Sequence, residues 1–167
     1  MLNALPTGIS LRPITDSDKA FMAALYAANR QAELANFPFS DQQKTLFLQS
    51  QFEAQYRHYF THYPSQRFTL IEQQGQPVGR LLVAEHPDHL RLVDIALLPS
   101  HQGLGIGSAL LRQLQAEATT KALAIKLQVA PASPAQRLYQ RLGFLAGEGD
   151  AFYLAMTWLP PTIAPAK

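Results

Sequence analysis

The sequence predicts an α/β (α+β) single domain: a mixed sheet with helices on its faces. Three observations carry this. Apolar residues alternate by twos in some segments and by threes and fours in others, so strands and helices both occur. In order the segments read strand, two helices, three strands, helix, strand, helix, two strands, so a meander precedes βαβ units. No linker or internal repeat divides the 167 residues, a length that buries one sizeable core.

The elements follow in turn. Ile9 to Ile14 alternates apolar and polar residues as a half-buried strand does, and Pro13 puts its end on a sheet edge or outside the sheet. Asp16 or Ser17 is the expected cap of a helix carrying Phe21, Leu25 and Ala28. Asn36 to Phe39 reads as a loop, because Pro38 turns the preceding residue away from helix. Ser40 or Asp41 then caps a longer helix with Leu48, Phe52, Tyr56, Tyr59 and Tyr63 on one side, a spacing that marks a core or dimer face. Pro64 closes it. Arg67–Gln73 and Val78–Glu85 read as strands around a tight turn at Gly75-Gln76, and His86 to His89 as the next turn.

Leu90–Leu98 is an apolar strand broken by Arg91 and Asp94. Beyond the glycines that follow it runs a stripe at helical spacing, Ile106, Leu110, Leu114 and Ala118. Ala124–Val129 is another strand. Ser133 caps a short helix with Pro134 in its first turn, where a missing N–H costs nothing, and Gly143 stops that helix. Phe144-Leu145 and Ala151–Trp158 close the fold as an antiparallel pair. One domain is expected over residues 1–159, with 160–167 a flexible C-terminal tail.

Composition narrows the function. Hydrophobic residues make up 47% and charged residues 16%, the balance of a globular chain. A net charge of +2 without a lysine-arginine run argues against nucleic acid. Cysteine is absent, which excludes thiolate metal sites and a cysteine nucleophile. Met1 to Ser10 lacks a charged leader with an apolar run, and no window reaches the roughly 20 apolar residues of a membrane span, so a cytoplasmic protein without membrane attachment is expected. His58 and His62 stand one helical turn apart, but no acid completes a metal motif, so no metal site is expected. His86, His89 and His101 fall at turns and read as surface residues.

Chemistry concentrates at Gln102-Gly103-Leu104-Gly105-Ile106-Gly107-Ser108. A strand that turns through glycines into a helix leaves free N–H groups at the helix start, and the helix dipole reinforces them, so the corner cradles an anion such as phosphate. No lysine follows the last glycine, which argues against a nucleoside triphosphatase loop. Gly103-x-Gly105-x-x-Ser108 half fits a dinucleotide fingerprint, but the next strand lacks the acid that would hold a ribose.

Gln102-x-x-Gly105-x-Gly107 after a strand resembles the Gln/Arg-x-x-Gly-x-Gly/Ala loop of the GNAT superfamily of N-acetyltransferases. Leu138-Tyr139-Gln140-Arg141-Leu142-Gly143-Phe144 resembles the late Leu-Tyr-x-x-Leu-Gly-Phe segment of that family, at about the family's separation. The likeness spans residues 9–158. It implies a mixed, mostly antiparallel twisted sheet flanked by helices, and an enzyme that moves acetyl from acetyl-CoA to the primary amine of a small molecule or peptide. The alternative it leaves open is a non-catalytic acyl-CoA sensor of the same fold; a monomer or homodimer is expected.

By the resemblance, the diphosphate of coenzyme A rests on the amides of Gly103, Leu104, Gly105, Ile106, Gly107 and Ser108, beside Gln102. Pantetheine pairs with the backbone of Ile95, Ala96 and Leu97, and the Leu97 N–H meets the thioester carbonyl. Tyr139 returns a proton to the leaving thiolate. The family asparagine that contacts pantetheine is replaced by Ala132, and Ser133 is the nearest substitute. The basic residue common beside the loop is also missing, which leaves Arg112, Arg137 or Arg141 as helpers. Asp94, the one acid in its apolar run, reads as base or ammonium clamp, or as a partner of loop backbone, with Glu85 or a water chain as the other candidate base. Asn36, Phe37 and Phe39 are expected to line the acceptor pocket.

Overall fold

The computed structural model describes residues 5–63 and 66–161, so Pro64 and most of the tail expected over 160–167 lie outside the described residues. Seven strands form one sheet: β1 (Ile9–Pro13), β2 (Gln66–Gln73), β3 (Gln76–Glu85), β4 (His89–Leu97), β5 (Ala124–Val129), β6 (Leu145–Gly149) and β7 (Leu154–Trp158), in the spatial order β1-β2-β3-β4-β5-β7-β6. Every neighbouring pair is antiparallel except β4 and β5. Four helices flank it: α1 (Lys19–Leu34), α2 (Asp41–His62), α3 (Ile106–Lys121) and α4 (Ala135–Arg141). Among the described residues no helix is long and apolar enough to cross a membrane.

The two sheet faces carry different helices. Ile106, Leu110, Leu111, Leu114 and Ala118 of α3, with Tyr139 of α4, pack on Val78, Leu81, Val83, Leu90 and Leu92. On the opposite face Met22 of α1 and Phe52 of α2 cover Leu70. The α3 stripe is buried as its spacing requires. In α1 the buried residues are Met22, Leu25 and Leu34, whereas Phe21 and Ala28 are half-buried. The stripe of α2 is core at Leu48 and Phe52. It continues as half-buried rings, Phe52–Tyr56 at 5.7 Å and Tyr56–Phe60 stacked at 4.4 Å.

Local chemistry moves several boundaries. Neither Asp16 nor Ser17 caps the first helix: Thr15 precedes a short 3₁₀ turn, Asp16–Asp18, and its N–H donates to the Asp18 carboxylate at 2.8 Å. Asp18 is buried because Arg12 grips both its oxygens, each at 2.8 Å. The hairpin turn falls on Gln74-Gly75, one residue earlier than expected, because both residues adopt positive φ and Gln76 already pairs with Gln73. Ser40 caps α2 with a reciprocal pair, accepting from the Gln43 N–H at 3.1 Å while its own N–H donates to Gln43 Oε1 at 2.8 Å. The closing pair is shifted too. Phe144 is a buried core residue ahead of β6, and Ala151 to Tyr153 form the turn into β7, where the Asp150 carboxylate accepts from the Phe152 and Tyr153 amides.

Two irregularities shape the centre of the sheet. In β4, Leu92 pairs with Val83 and Asp94 with Leu82, so Val93 is an extra residue. Cross-strand partners share a face, so this bulge puts Leu92 on the α3 face and Asp94 on the α1/α2 face, although they are two residues apart. Opposite the end of β4, a Cβ built on Gly79 would lie 2.3 Å from the Ala96 carbonyl oxygen and 2.8 Å from a Leu97 methyl. Only glycine permits that approach.

Two outcomes follow. Gly79→Ala forces β3 and β4 apart and lowers unfolding stability by about 1–3 kcal/mol in a denaturant titration. The Arg12 guanidinium holds the Asp18 carboxyl well below its ordinary value near 3.8. Its stabilisation is therefore complete above that value and is lost as pH falls toward the lower folded one. Asp18→Asn lowers the melting temperature at neutral pH, and the difference from wild type shrinks in acid melts below the ordinary carboxyl range.

Candidate active site

The parallel strands β4 and β5 pair only over His89, Leu90 and Arg91 with Ala124, Ile125 and Lys126. Past Arg91 they part, because β5 stays in register with β7 while β4 follows the bulge toward β3. The gap becomes a cleft of about 550 Å³ whose walls include Ile95, Ala96 and Leu97 of β4, the loop Gln102–Ser108, and Ala135, Leu138 and Tyr139 of α4. The Leu98 N–H donates to the Val78 carbonyl at 2.8 Å. Backbone groups alternate in direction along a strand, so those of Ile95 and Leu97 turn from β3 into the gap.

Two of the loop glycines take the left-handed backbone their spacing implied. Gly105 caps α3 at φ 84°, a left-handed conformation that Gly103 shares at φ 75°. No atom lies within 4 Å of a Cβ built on either residue, so steric room is not the reason for glycine there; backbone direction is. The Gly105 carbonyl accepts from the Ala109 N–H at 3.0 Å, and the N–H groups of the first turn precede any helical partner. The sixteen-residue α3 adds its dipole at that corner.

Gln102 is engaged by the protein. Its Nε2 donates to the Leu97 carbonyl at 3.0 Å and to Asn29 Oδ1 at 2.9 Å, while Asn29 Nδ2 donates to the same carbonyl at 3.1 Å. This triangle ties α1 to the end of β4 and the start of the loop, and fixes the peptide that follows the Leu97 amide. Ser133 likewise uses its hydroxyl internally, accepting from the Ala135 N–H at 3.2 Å, and the cleft wall there is Pro134 and Ala135. Leu104 is exposed at the loop tip. Arg112, Arg137 and Arg141 are all exposed; of these Arg141 borders the cleft.

Tyr139 is 7% exposed, its ring 5.6 Å from that of Phe144. Burial pushes its phenol well above the ordinary value, and the Asp94 charge pushes further in the same direction. The phenol therefore stays protonated at neutral pH. Asp94 accepts from Arg80 Nε at 2.8 Å, and Arg80 Nη2 donates to Gln55 Oε1 at 2.7 Å. This guanidinium is 3% exposed and lies 5.6 Å from the Tyr59 ring centroid. Arg80, Asp94 and Gln55 border a second, smaller pocket of about 100 Å³ on the α1/α2 face, and Asn29 and Ala96 line both pockets.

Some expected residues stand elsewhere. Glu85 pairs with Leu90 at the closed end of the β3–β4 ladder and reaches Arg67 at 3.4 Å, so the strand's length separates it from the cleft. Phe37 and Phe39 are 46% and 42% exposed, pack edge to face with each other at 6.0 Å, and border neither pocket; Asn36 is exposed as well. His101 is no free surface residue: its Nε2 lies 2.9 Å from Gln73 Oε1 and its ring borders the cleft. His58 and His62 are both exposed on α2. Sequence reading missed Asn29, Gln55 and Arg80. A lone arginine inside the otherwise apolar Val78–Ala84 was the available signal for Arg80; Asn29 and Gln55 gave none.

The comparisons with known proteins agree with this geometry. Residues 24–144 match the model of the acetyltransferase (GNAT) family. No curated protein sequence matches the chain. Among solved structures, the PaiA N-acetyltransferase of Thermoplasma acidophilum in complex with coenzyme A is similar at a TM-score of 0.68 and 14% identity, covering 90% of this chain and 98% of its own. A histone acetyltransferase HPA2-related acetyltransferase of Corynebacterium glutamicum is similar at 0.62 and 25% identity, over 96% and 100%. The ribosomal-protein-S18-alanine N-acetyltransferase of Escherichia coli is similar at 0.60 and 19% identity, over 95% and 99%. With the family's two motifs lining one cleft where β4 and β5 part, this chain belongs to the GNAT acetyltransferase family.

Proposed function

We propose that this enzyme transfers the acetyl group of acetyl-CoA to a primary amine, by direct attack while both substrates are bound. The observation that carries the reading is the placement of Tyr139, the outward-turned Leu97 amide and the α3 corner around one cleft. In this reading the amides of residues 103–108 hold the diphosphate, and the backbone of Ile95 with the Leu97 N–H, turned away from β3, accepts pantetheine as an added strand, the Leu97 carbonyl being held by Gln102 and Asn29. That one solved relative is a coenzyme A complex and another is named for acetylating a protein alanine supports the donor and the amine acceptor alike.

The acceptor arrives as an ammonium held by Asp94 and gives one proton to water. Its lone pair attacks the thioester carbonyl carbon, forming the C–N bond, and the Leu97 N–H stabilises the charge that develops on oxygen. Collapse breaks the C–S bond. Sulfur takes the Tyr139 phenolic proton, and the surplus proton on nitrogen returns to the phenolate through water. One free thiol and one proton leave with each acetyl moved.

Four measurements test this. Thiol release from acetyl-CoA across a panel of amines should be steady with at least one acceptor class; tight binding of acetyl-CoA without release would mark a sensor instead. Tyr139→Phe should lower kcat about a hundredfold, at the lower end of general-acid effects, with acetyl-CoA affinity unchanged. Because burial raises the phenol, wild-type kcat should climb with pH as the amine is freed and show no fall through the ordinary tyrosine range near 10. Asp94→Asn should raise KM for the amine about tenfold while KM for acetyl-CoA stays within twofold, since a charge-assisted contact contributes roughly 1.5–3 kcal/mol; an unchanged amine KM removes Asp94 from the acceptor site.

A further inference from the structure

The small pocket on the α1/α2 face holds an unusual charge arrangement. Asp94 is the sole carboxylate lining it among the described residues, whereas two guanidiniums line it, Arg80 and Arg30. Arg80 is buried in the middle of β3 and its Nε is committed to Asp94; its remaining polar contact is the neutral Gln55, and Nη1 touches only the Met22 sulfur at 4.0 Å. Arg30 bonds the Tyr26 hydroxyl on one side, and on the other pairs at 2.7 Å with Glu33, which is largely exposed and outside the pocket lining. A buried cation is costly unless paired, so Asp94 is already the counter-charge of Arg80 before any substrate arrives. The β4 bulge is what makes that pairing possible, by putting Asp94 on the face that Arg80 occupies.

Resting on the reading of Asp94 as the holder of the acceptor ammonium, which makes the small pocket it lines the acceptor site, we propose that Arg80, with Arg30, determines acceptor class: the enzyme takes amines with a single positive charge and a neutral or anionic tail, and discriminates against acceptors that carry a second cation. One ammonium can share Asp94 with Arg80. A second finds no carboxylate in the pocket and meets two guanidiniums, one of them buried, where like charges repel more strongly than in open solution. An anionic tail meets the same guanidiniums as an attraction. Selection here works by repulsion of the wrong ligand, built from a residue that also orients the attracting one. Arg80 thus acts on Asp94 as a positioning residue and on the acceptor's tail as a specificity determinant.

The test is a selectivity ratio, which general loss of stability does not shift. Steady-state kcat/KM is measured for hexylamine, 6-aminohexanoate and 1,6-diaminohexane, and for alanine-initiated tripeptides whose second residue is serine, glutamate or arginine. Wild type should use the neutral and anionic members of the set it accepts at least tenfold better than the cationic one. Arg80→Met leaves Asp94 without its counter-charge and should narrow the neutral-to-cationic ratio at least tenfold. Arg30→Gln, at a partly exposed position that does not threaten the fold, should narrow it about threefold and carries the test should Arg80→Met fail to fold. The proposal is overturned if wild type uses the cationic acceptor as well as the neutral one, or if folded variants leave the ratio unchanged. Wild type that binds acetyl-CoA yet acetylates no member of either set fails at the transfer reading itself, a different result from an unaltered ratio in an active enzyme.

Discussion

The parting of β4 from β5 is the constraint on which the rest depends. A parallel pair that ran its full length would bury both backbones and leave neither cleft nor free amides. Here the ladder stops after three residue pairs, and everything chemical lies beyond the stop. The exposed backbone of β4, the loop that reverses into α3, and the α4 side chains that fill the far wall all depend on those strands having separated. The bulge at Val93 and the close approach at Gly79 hold β4 against β3 instead, so the gap is fixed on one side by a tight ladder and on the other by the β5–β7 pair.

A second consequence is that the two faces of the sheet communicate at one place. The α3 face carries most of the core and the glycine corner; the α1/α2 face carries the buried guanidinium and the small pocket. Asn29 and Ala96 border both cavities, and Asn29 is bonded to the Leu97 carbonyl and to Gln102. The same side-chain amide therefore braces the helix over the small pocket and the peptide that begins the glycine loop. A polar residue at such a junction, with both ends of its amide engaged, gives the site a single arrangement where a smaller side chain would leave room for several.

Much of this was legible in the chain. The α3 stripe, the Ser40 cap, the Ala124–Val129 strand and the glycine corner were readable because each depends on local periodicity or on the chemistry of one turn. The proposed donor side was readable for the same reason: the Gln102–Ser108 corner is contiguous backbone, so its signature is contiguous in sequence. The proposed acceptor pocket was not. Arg80 and Gln55 come from different elements and meet Asp94 only in three dimensions. Asp94 itself misleads a period-two reading, which places it on the face of Leu90 and Leu92; one inserted residue reverses that, and nothing in Leu92-Val93-Asp94 announces a bulge. Glu85 failed as a candidate base because an antiparallel ladder sends the end of one strand to the start of the next. Phe37 and Phe39 failed because aromatic rings in a loop can satisfy one another at the surface.

The most direct test of the central claim is a crystal structure of the protein soaked or grown with acetyl-CoA. The diphosphate should lie against the amides of residues 103–108, pantetheine between β4 and β5 along Ile95 to Leu97, and the thioester sulfur beside the Tyr139 hydroxyl. A ligand seated elsewhere on the molecule, or a gap between β4 and β5 left unfilled at saturating acetyl-CoA, would contradict it.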